Sequence, residues 1–169
     1  AGSETTRTAT SHGIQALFDH PDQMQLLQDR LDDDELIASA IEEMVRWATP
    51  VHHFRRTATR DTELRGKKIK AGDKVVMWHV SANRDEEIFD EPFRFDIQRS
   101  PNEHIAFGGG GAHFCLGANL ARAELRIIFR EILRRMPDIA PAGPPQLLRS
   151  NFINGVKHLP VRFTPGERR

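Results

Sequence analysis

The sequence holds one cysteine, Cys115, among 169 residues. A single cysteine excludes an intramolecular disulfide and a Cys-rich zinc cluster. It suits a reducing, cytoplasmic setting. Charge of one sign is also missing. The 24 Lys and Arg balance 24 Asp and Glu, whereas a nucleic-acid binder shows a clear basic excess. No apolar run approaches the roughly 18 residues that a membrane span needs. The opening AGSETTRTATSHG has neither the cationic start nor the apolar core of a signal peptide. It begins without Met and inside a helical pattern, which predicts a fragment of a longer fold. The length suits one domain.

What is present is first a set of helices. Residues 1–18 carry Ile14, Leu17 and Phe18 at helical spacing, and the residue before Pro21 is biased away from helix. A short helix is expected over 21–31. The clearest one is DDDELIASAIEEMVRWA, residues 32–48. Its acidic first turn suits the helix dipole, and Leu36, Ile37, Ala40, Ile41, Met44 and Val45 form an apolar stripe. Thr49-Pro50 stops it. The period then shortens over 54–59, 63–69 and 74–80, predicting strands with turns at Arg65-Gly66 and Ala71-Gly72. Residues 85–103 read as an irregular loop pinned by aromatics. A helix is expected over 115–136, ending at Pro137. After a Pro/Gly-rich connector over 141–145, NFINGVKHLPVRF reads as a hairpin turning at Asn154-Gly155.

The chemistry concentrates at FGGGGAHFCLG. Four consecutive glycines let the backbone approach something closely, at an entropic cost that ordinary packing does not require. Cys115 follows at the expected start of a helix, where unpaired N–H groups and the positive dipole end favour a thiolate. Such a thiolate is a soft iron ligand tuned by backbone donors. The residues alone leave other readings open: an inert buried thiol, or a nucleophile activated by His113. A phosphate loop fits less well, since no Lys-Ser or Lys-Thr follows the glycines and no G-x-G-x-x-G spacing falls within the run.

The segment HIAFGGGGAHFCLGANLARAEL resembles the cysteine loop and following helix of bacterial cytochromes P-450. Three further motifs occur in the matching order. AGSETT resembles the oxygen-activating stretch of that family's central helix, Glu43-Met44-Val45-Arg46 its E-x-x-R motif, and Pro92-Phe93-Arg94-Phe95 the loop that gives the glutamate a second arginine. One departure is an extra glycine, which puts Phe107 eight residues before Cys115 instead of seven. The resemblance spans essentially the whole chain and is strongest to actinobacterial steroid and methyl-branched lipid hydroxylases. Its implied fold is mainly α with small β-sheets: the end of the central helix, the E-x-x-R helix, the meander, the Cys loop with its helix, and a C-terminal hairpin. Residues 1–169 would then form one partial haem-binding domain lacking the N-terminal half.

The resemblance implies haem b (iron protoporphyrin IX) with Cys115 as the iron ligand. Arg56 and His113 would pair with its propionates, and Phe107, Gly108 and Gly117 would line it. His104 is placed either against the haem or in a hydrogen bond within the loop. Glu43, Arg46 and Arg94 would form a buried structural triad. Glu4 and Thr5 match the acid–alcohol pair that moves protons during dioxygen activation, beside the small Ala1 and Gly2. Val51, His52 and Phe152 match substrate contacts. The implied reaction is hydroxylation of a lipophilic substrate, with electrons from a ferredoxin and its reductase. Arg122, Arg126 and Arg130 could guide such an acidic donor. The missing half predicts uncovered apolar faces on helices 1–18 and 115–136, hence self-association or a complementing N-terminal fragment. Two rivals stand beside this: a thiol enzyme without haem, and a catalytically incompetent fragment with a vestigial site.

Overall fold

The computed structural model describes residues 2–166; Ala1 lies outside the described residues. Three helices carry the core. They are α1 (Gly2–Asp19), α3 (Asp34–Ala48) and α5 (Ala118–Arg135), with the short α2 (Pro21–Asp29) between the first two. The α3 stripe is buried as its spacing predicts. It packs with Ile14 and Leu17 of α1, Leu125, Phe129 and Leu133 of α5, and Phe95 and Ile97 of the irregular loop. Asp33 caps α3 by accepting the Glu35 and Leu36 N–H groups, both at 3.0 Å, an arrangement worth about 1 kcal/mol. Thr49 ends the helix in the left-handed region.

The strands form four two-stranded antiparallel ribbons. β1 (His53–Thr57) pairs with β4 (Lys74–Trp78), placing Phe54 opposite Met77 and Arg56 opposite Val75. The run 63–69 resolves into β2 (Thr62–Leu64) and β3 (Lys67–Ile69), folded back at Arg65 and Gly66. Both turn residues have positive φ, as a tight two-residue hairpin requires. The four-residue helix α4 (His79–Ala82) follows β4 directly.

Three expectations are corrected. The last long helix begins at Ala118, with Gly117 at its N-cap. Cys115 precedes it in a turn closed by the Ala118 N–H on the Cys115 carbonyl (3.2 Å). Asn154-Gly155 is not the tip of a hairpin. β7 (Val156–His158) pairs with β6 (Gln146–Leu147), and β8 (Val161–Arg162) pairs with β5 (Ala140–Pro141). Gly155 is needed instead for close approach, since a Cβ there would lie 3.0 Å from Leu148. The predicted bare face of α1 is also absent: Ile14 and Leu17 are buried against the other helices. Only α5 shows the expected uncovered residues, Leu120 and Ile127.

Gly13 lets α1 approach the other two helices. A Cβ on it would lie 2.6 Å from Phe129 Cζ and 3.1 Å from Met44 Sδ, and both side chains are fully buried. Alanine would gain up to about 1 kcal/mol of helix propensity, against roughly 1–3 kcal/mol of overpacking in a close-packed core. Gly13→Ala should therefore lower stability in urea denaturation. A rise in the midpoint would show that the helices part easily there.

Candidate functional site

One large cavity, about 1240 Å³, gathers most of the predicted residues. The Cys115 loop forms one wall and the first residues of α1 another. Phe54, Arg56 and Met77 of the β1–β4 ribbon and Phe152-Ile153 complete it. Gly2, Glu4, Thr5, Val51, Arg56, Phe107, Gly108, His113, Cys115, Gly117 and Phe152 all border this space. His52 is not among its lining residues. Its backbone is occupied instead, donating to the Phe152 carbonyl (2.9 Å) and accepting from the Val80 N–H (3.3 Å). Burial and the neighbouring His53 push the His52 pKa down.

The glycine run builds the loop around the thiol. Gly108, Gly110 and Gly111 adopt φ values of 97°, 95° and 76°, where L side chains are strained. This curl lets the Cys115 N–H reach back to the Phe107 carbonyl (2.9 Å). The Cys115 thiol is exposed. At Gly109, Gly110 and Gly117 nothing lies within 4 Å of where a Cβ would stand, so the loop leaves open space there.

Beneath the loop, Glu43 and Arg46 are fully buried and joined at 2.7 and 2.8 Å. The Glu43 carboxylate also accepts the Asp96 N–H (3.0 Å), the Asn102 amide (3.1 Å) and Arg99 Nε (3.3 Å). Arg46 donates onward to the carbonyls of Asn83, Pro92 and Arg94. The expected second arginine is thus corrected from Arg94 to Arg99. The Arg94 side chain lies in solvent and pairs with Glu91 (2.9 Å), contributing only its carbonyl to the network. The reason is steric: the adjoining Phe95 takes the inward position in the core.

A second network was only half legible. Glu42 accepts a forked bond from Arg122 (2.6 and 2.8 Å) and one from His104 Nε2 (3.0 Å). His104 Nδ1 accepts the Ala106 N–H (3.2 Å), so the proton sits on Nε2. His104 therefore braces the loop, the second of the roles considered for it. Burial alone would raise the Glu42 pKa, but the hydrogen bonds from His104 and Arg122 and the Arg122 charge bring it down to about 2. Of the three arginines considered for donor docking, Arg122 is held here and Arg130 by Asp34 and the Leu31 carbonyl; Arg126 is exposed. Phe54, Met77, His79, Leu120 and Glu124 also line the cavity and were missed. Phe54 shares a strand face with Arg56 by the two-residue alternation, a usable signal. Met77 needed the strand register.

The cavity is thus walled by a glycine-curled cysteine loop, parts of the three core helices and a small ribbon. The cytochrome P450 family model matches residues 1–137, and the chain belongs to that family. It is 55% identical over 166 residues to a methyl-branched lipid omega-hydroxylase of Mycobacterium tuberculosis, covering 97% of this chain and 38% of that protein. To a steroid C26-monooxygenase of Rhodococcus jostii it is 52% identical over 163 residues, covering 96% and 34%. The Mycobacterium marinum cytochrome P450 CYP268A2, solved in complex with pseudoionone, superposes with a TM-score of 0.91 at 52% identity, covering 95% and 38%. The chain thus spans under two fifths of the length of these relatives.

The family's cofactor is haem, and the residues present fit it. Among the described residues no three His, Cys, Asp or Glu side chains stand together as metal ligands. What fits the family's cofactor is a single exposed thiol, Cys115, on a loop that leaves open space at Gly109 and Gly110. Arg56 borders the same cavity with no carboxylate partner among the described residues, held by the Arg55 carbonyl and the Phe54 ring. A guanidinium so placed suits a cofactor carboxylate.

Two outcomes follow. Arg99→Ala removes a donor from a buried carboxylate and should cost about 1–3 kcal/mol, while Arg94→Ala keeps its carbonyl and should stay within about 0.5 kcal/mol. Equal effects in denaturant titration would contradict the assignment. Because the Glu42 pKa lies below its ordinary 4.5, its contribution is present above that value and lost as pH falls toward about 2. Glu42→Gln should flatten the loss of stability over that acidic interval. An unchanged acid profile would count against the coupling.

Proposed function

We propose that this chain supplies the thiolate-bearing part of a haem-dependent monooxygenase that hydroxylates a lipophilic substrate. The observation that carries it is the exposed Cys115 on a glycine-curled loop bordering the same cavity as Arg56, His113, Glu4 and Thr5. Haem b, when bound there, supplies the dioxygen and one-electron redox chemistry. Per hydroxyl formed, the overall reaction consumes one dioxygen, two electrons and two protons, and releases water.

The chain's own residues take distinct parts. Cys115 ligates from the loop, and its thiolate donates electron density. Arg56 and His113 orient the cofactor through its carboxylates, and Phe107, Gly108 and Gly117 shape its seat. Thr5 presents a hydroxyl to the cavity, and Glu4 exchanges protons with water from the exposed side of the same turn. Val51 and Phe152 contact substrate; His52 supports them through its backbone.

A steroid side chain or methyl-branched lipid as substrate is favoured by the names of the relatives and by the apolar cavity residues Phe54, Met77 and Leu120. Electrons would come from a ferredoxin-type donor, with Arg126, an exposed cation of α5, available to meet it. No described helix is long and apolar enough to cross a membrane.

The test is spectroscopic. The reduced carbon monoxide complex of the full-length haem-loaded protein should show a red-shifted Soret band that disappears in Cys115→His. A normal thiolate-type band in that variant would refute Cys115 as ligand. Rapid alkylation of Cys115 with no haem uptake would favour a thiol enzyme instead.

A further inference from the structure

Glu42, Arg122 and His104 form a charge network that the roles above leave unused, and it abuts the cysteine loop. The Arg122 guanidinium lies 4.5 Å from the centre of the Phe107 ring, a cation stacked on an aromatic face. Phe107 in turn accepts the Cys115 N–H through its carbonyl (2.9 Å). One ring and one backbone hydrogen bond thus separate the cation from the cysteine. On its other side, Arg122 is forked onto Glu42 at 2.6 and 2.8 Å, with only about a quarter of either side chain exposed. Partial burial and bidentate geometry set this pair apart from a loose surface contact. His104 Nε2 fixes the same carboxylate at 3.0 Å, and its ring lies 5.9 Å from that of Phe107.

We infer that Arg122 and Glu42 are tuning residues that set the charge felt at the Cys115 sulfur, Arg122 as the cation on Phe107 and Glu42 as its counter-ion. His104 is the positioning residue that holds the carboxylate. The Glu42 hydrogen bond, above all, raises the Arg122 pKa. The two partners act with opposite sign. A positive charge near the sulfur stabilises its negative charge and eases addition of an electron at the ligated metal, and a negative charge does the reverse.

The inference rests on Cys115 as the iron ligand, and the test separates the two. In the full-length haem-loaded protein, the midpoint potential is measured for variants whose reduced carbon monoxide band reports thiolate ligation. Glu42→Gln uncovers the cation and should shift the potential upward. Arg122→Gln removes it and should shift the potential downward. The double variant should return near the parent, and Arg122→Lys should stay close to it. A mere structural brace would loosen the loop alike in both single variants. Shifts of the same sign, or an unmoved potential with the band intact, would therefore overturn the inference. Loss of haem from both glutamine variants would overturn it too, by making the network a brace only. Loss of the band in Cys115→His is the separate measurement that the ligand assignment itself must pass.

Discussion

The buried Glu43 carboxylate is the constraint on which the lower half of the molecule depends. An ion taken out of water carries a desolvation penalty of several kcal/mol, and good geometry with every lone pair engaged is what offsets it. Glu43 meets that condition with Arg46, Arg99, Asn102 and the Asp96 N–H. Three of these donors come from a stretch with almost no regular structure, so an irregular chain becomes fixed. Arg46 extends the effect by bonding the Asn83 carbonyl (2.8 Å). The Asn83 amide oxygen then takes the Ile105 N–H (2.8 Å), two residues before Phe107. A helix-borne carboxylate thereby positions the entrance to the cysteine loop.

Glu42 and Glu43 are adjacent in sequence and face different tasks. Successive residues on a helix point about 100° apart, so one reaches the meander and the other the Cys115 loop and α5. Glu43 is sealed from water, and its network is a matter of geometry. Glu42 keeps a quarter of its side chain exposed, and two donors overcome its burial. The same turn of α3 therefore anchors the loop beneath the site and the loop that carries the thiol.

Much of this was legible in the sequence because the signals are local. The α3 stripe, its acidic start and the Thr49-Pro50 stop give that helix within two residues. The glycine run marks positions that need positive φ, and Gly108, Gly110 and Gly111 have it. What was not legible depends on distance partners. Arg94 and Arg99 are both arginines in an irregular segment, and only the inward packing of Phe95 decides which one reaches Glu43. Asn154-Gly155 carries a hairpin dipeptide, yet the Asn154 amide is drawn to the Ala48 carbonyl (2.7 Å) and its N–H to that of Pro50 (3.0 Å). Tertiary contacts override the turn preference there. His104 sits between two readings until Glu42 is seen opposite it.

The start of α1 carries two neighbouring residues suited to the proton relay proposed above. A hydroxyl that delivers a proton works best sheltered, whereas the acid that refills it must meet water. Glu4 is exposed and paired with Arg7 at 2.6 Å, both side chains more than half open to solvent. Thr5 is partly buried and borders the cavity, as Glu4 does from its rim. Consecutive helix residues point about 100° apart, so under that proposal one dipeptide can meet both the cavity and bulk water. An exposed ion pair of this kind contributes little to stability, and a purely structural account leaves the acid's place at the cavity rim without a purpose. The proposed relay gives it one: Arg7 pairs with the carboxylate while Thr5, one residue on, borders the same cavity.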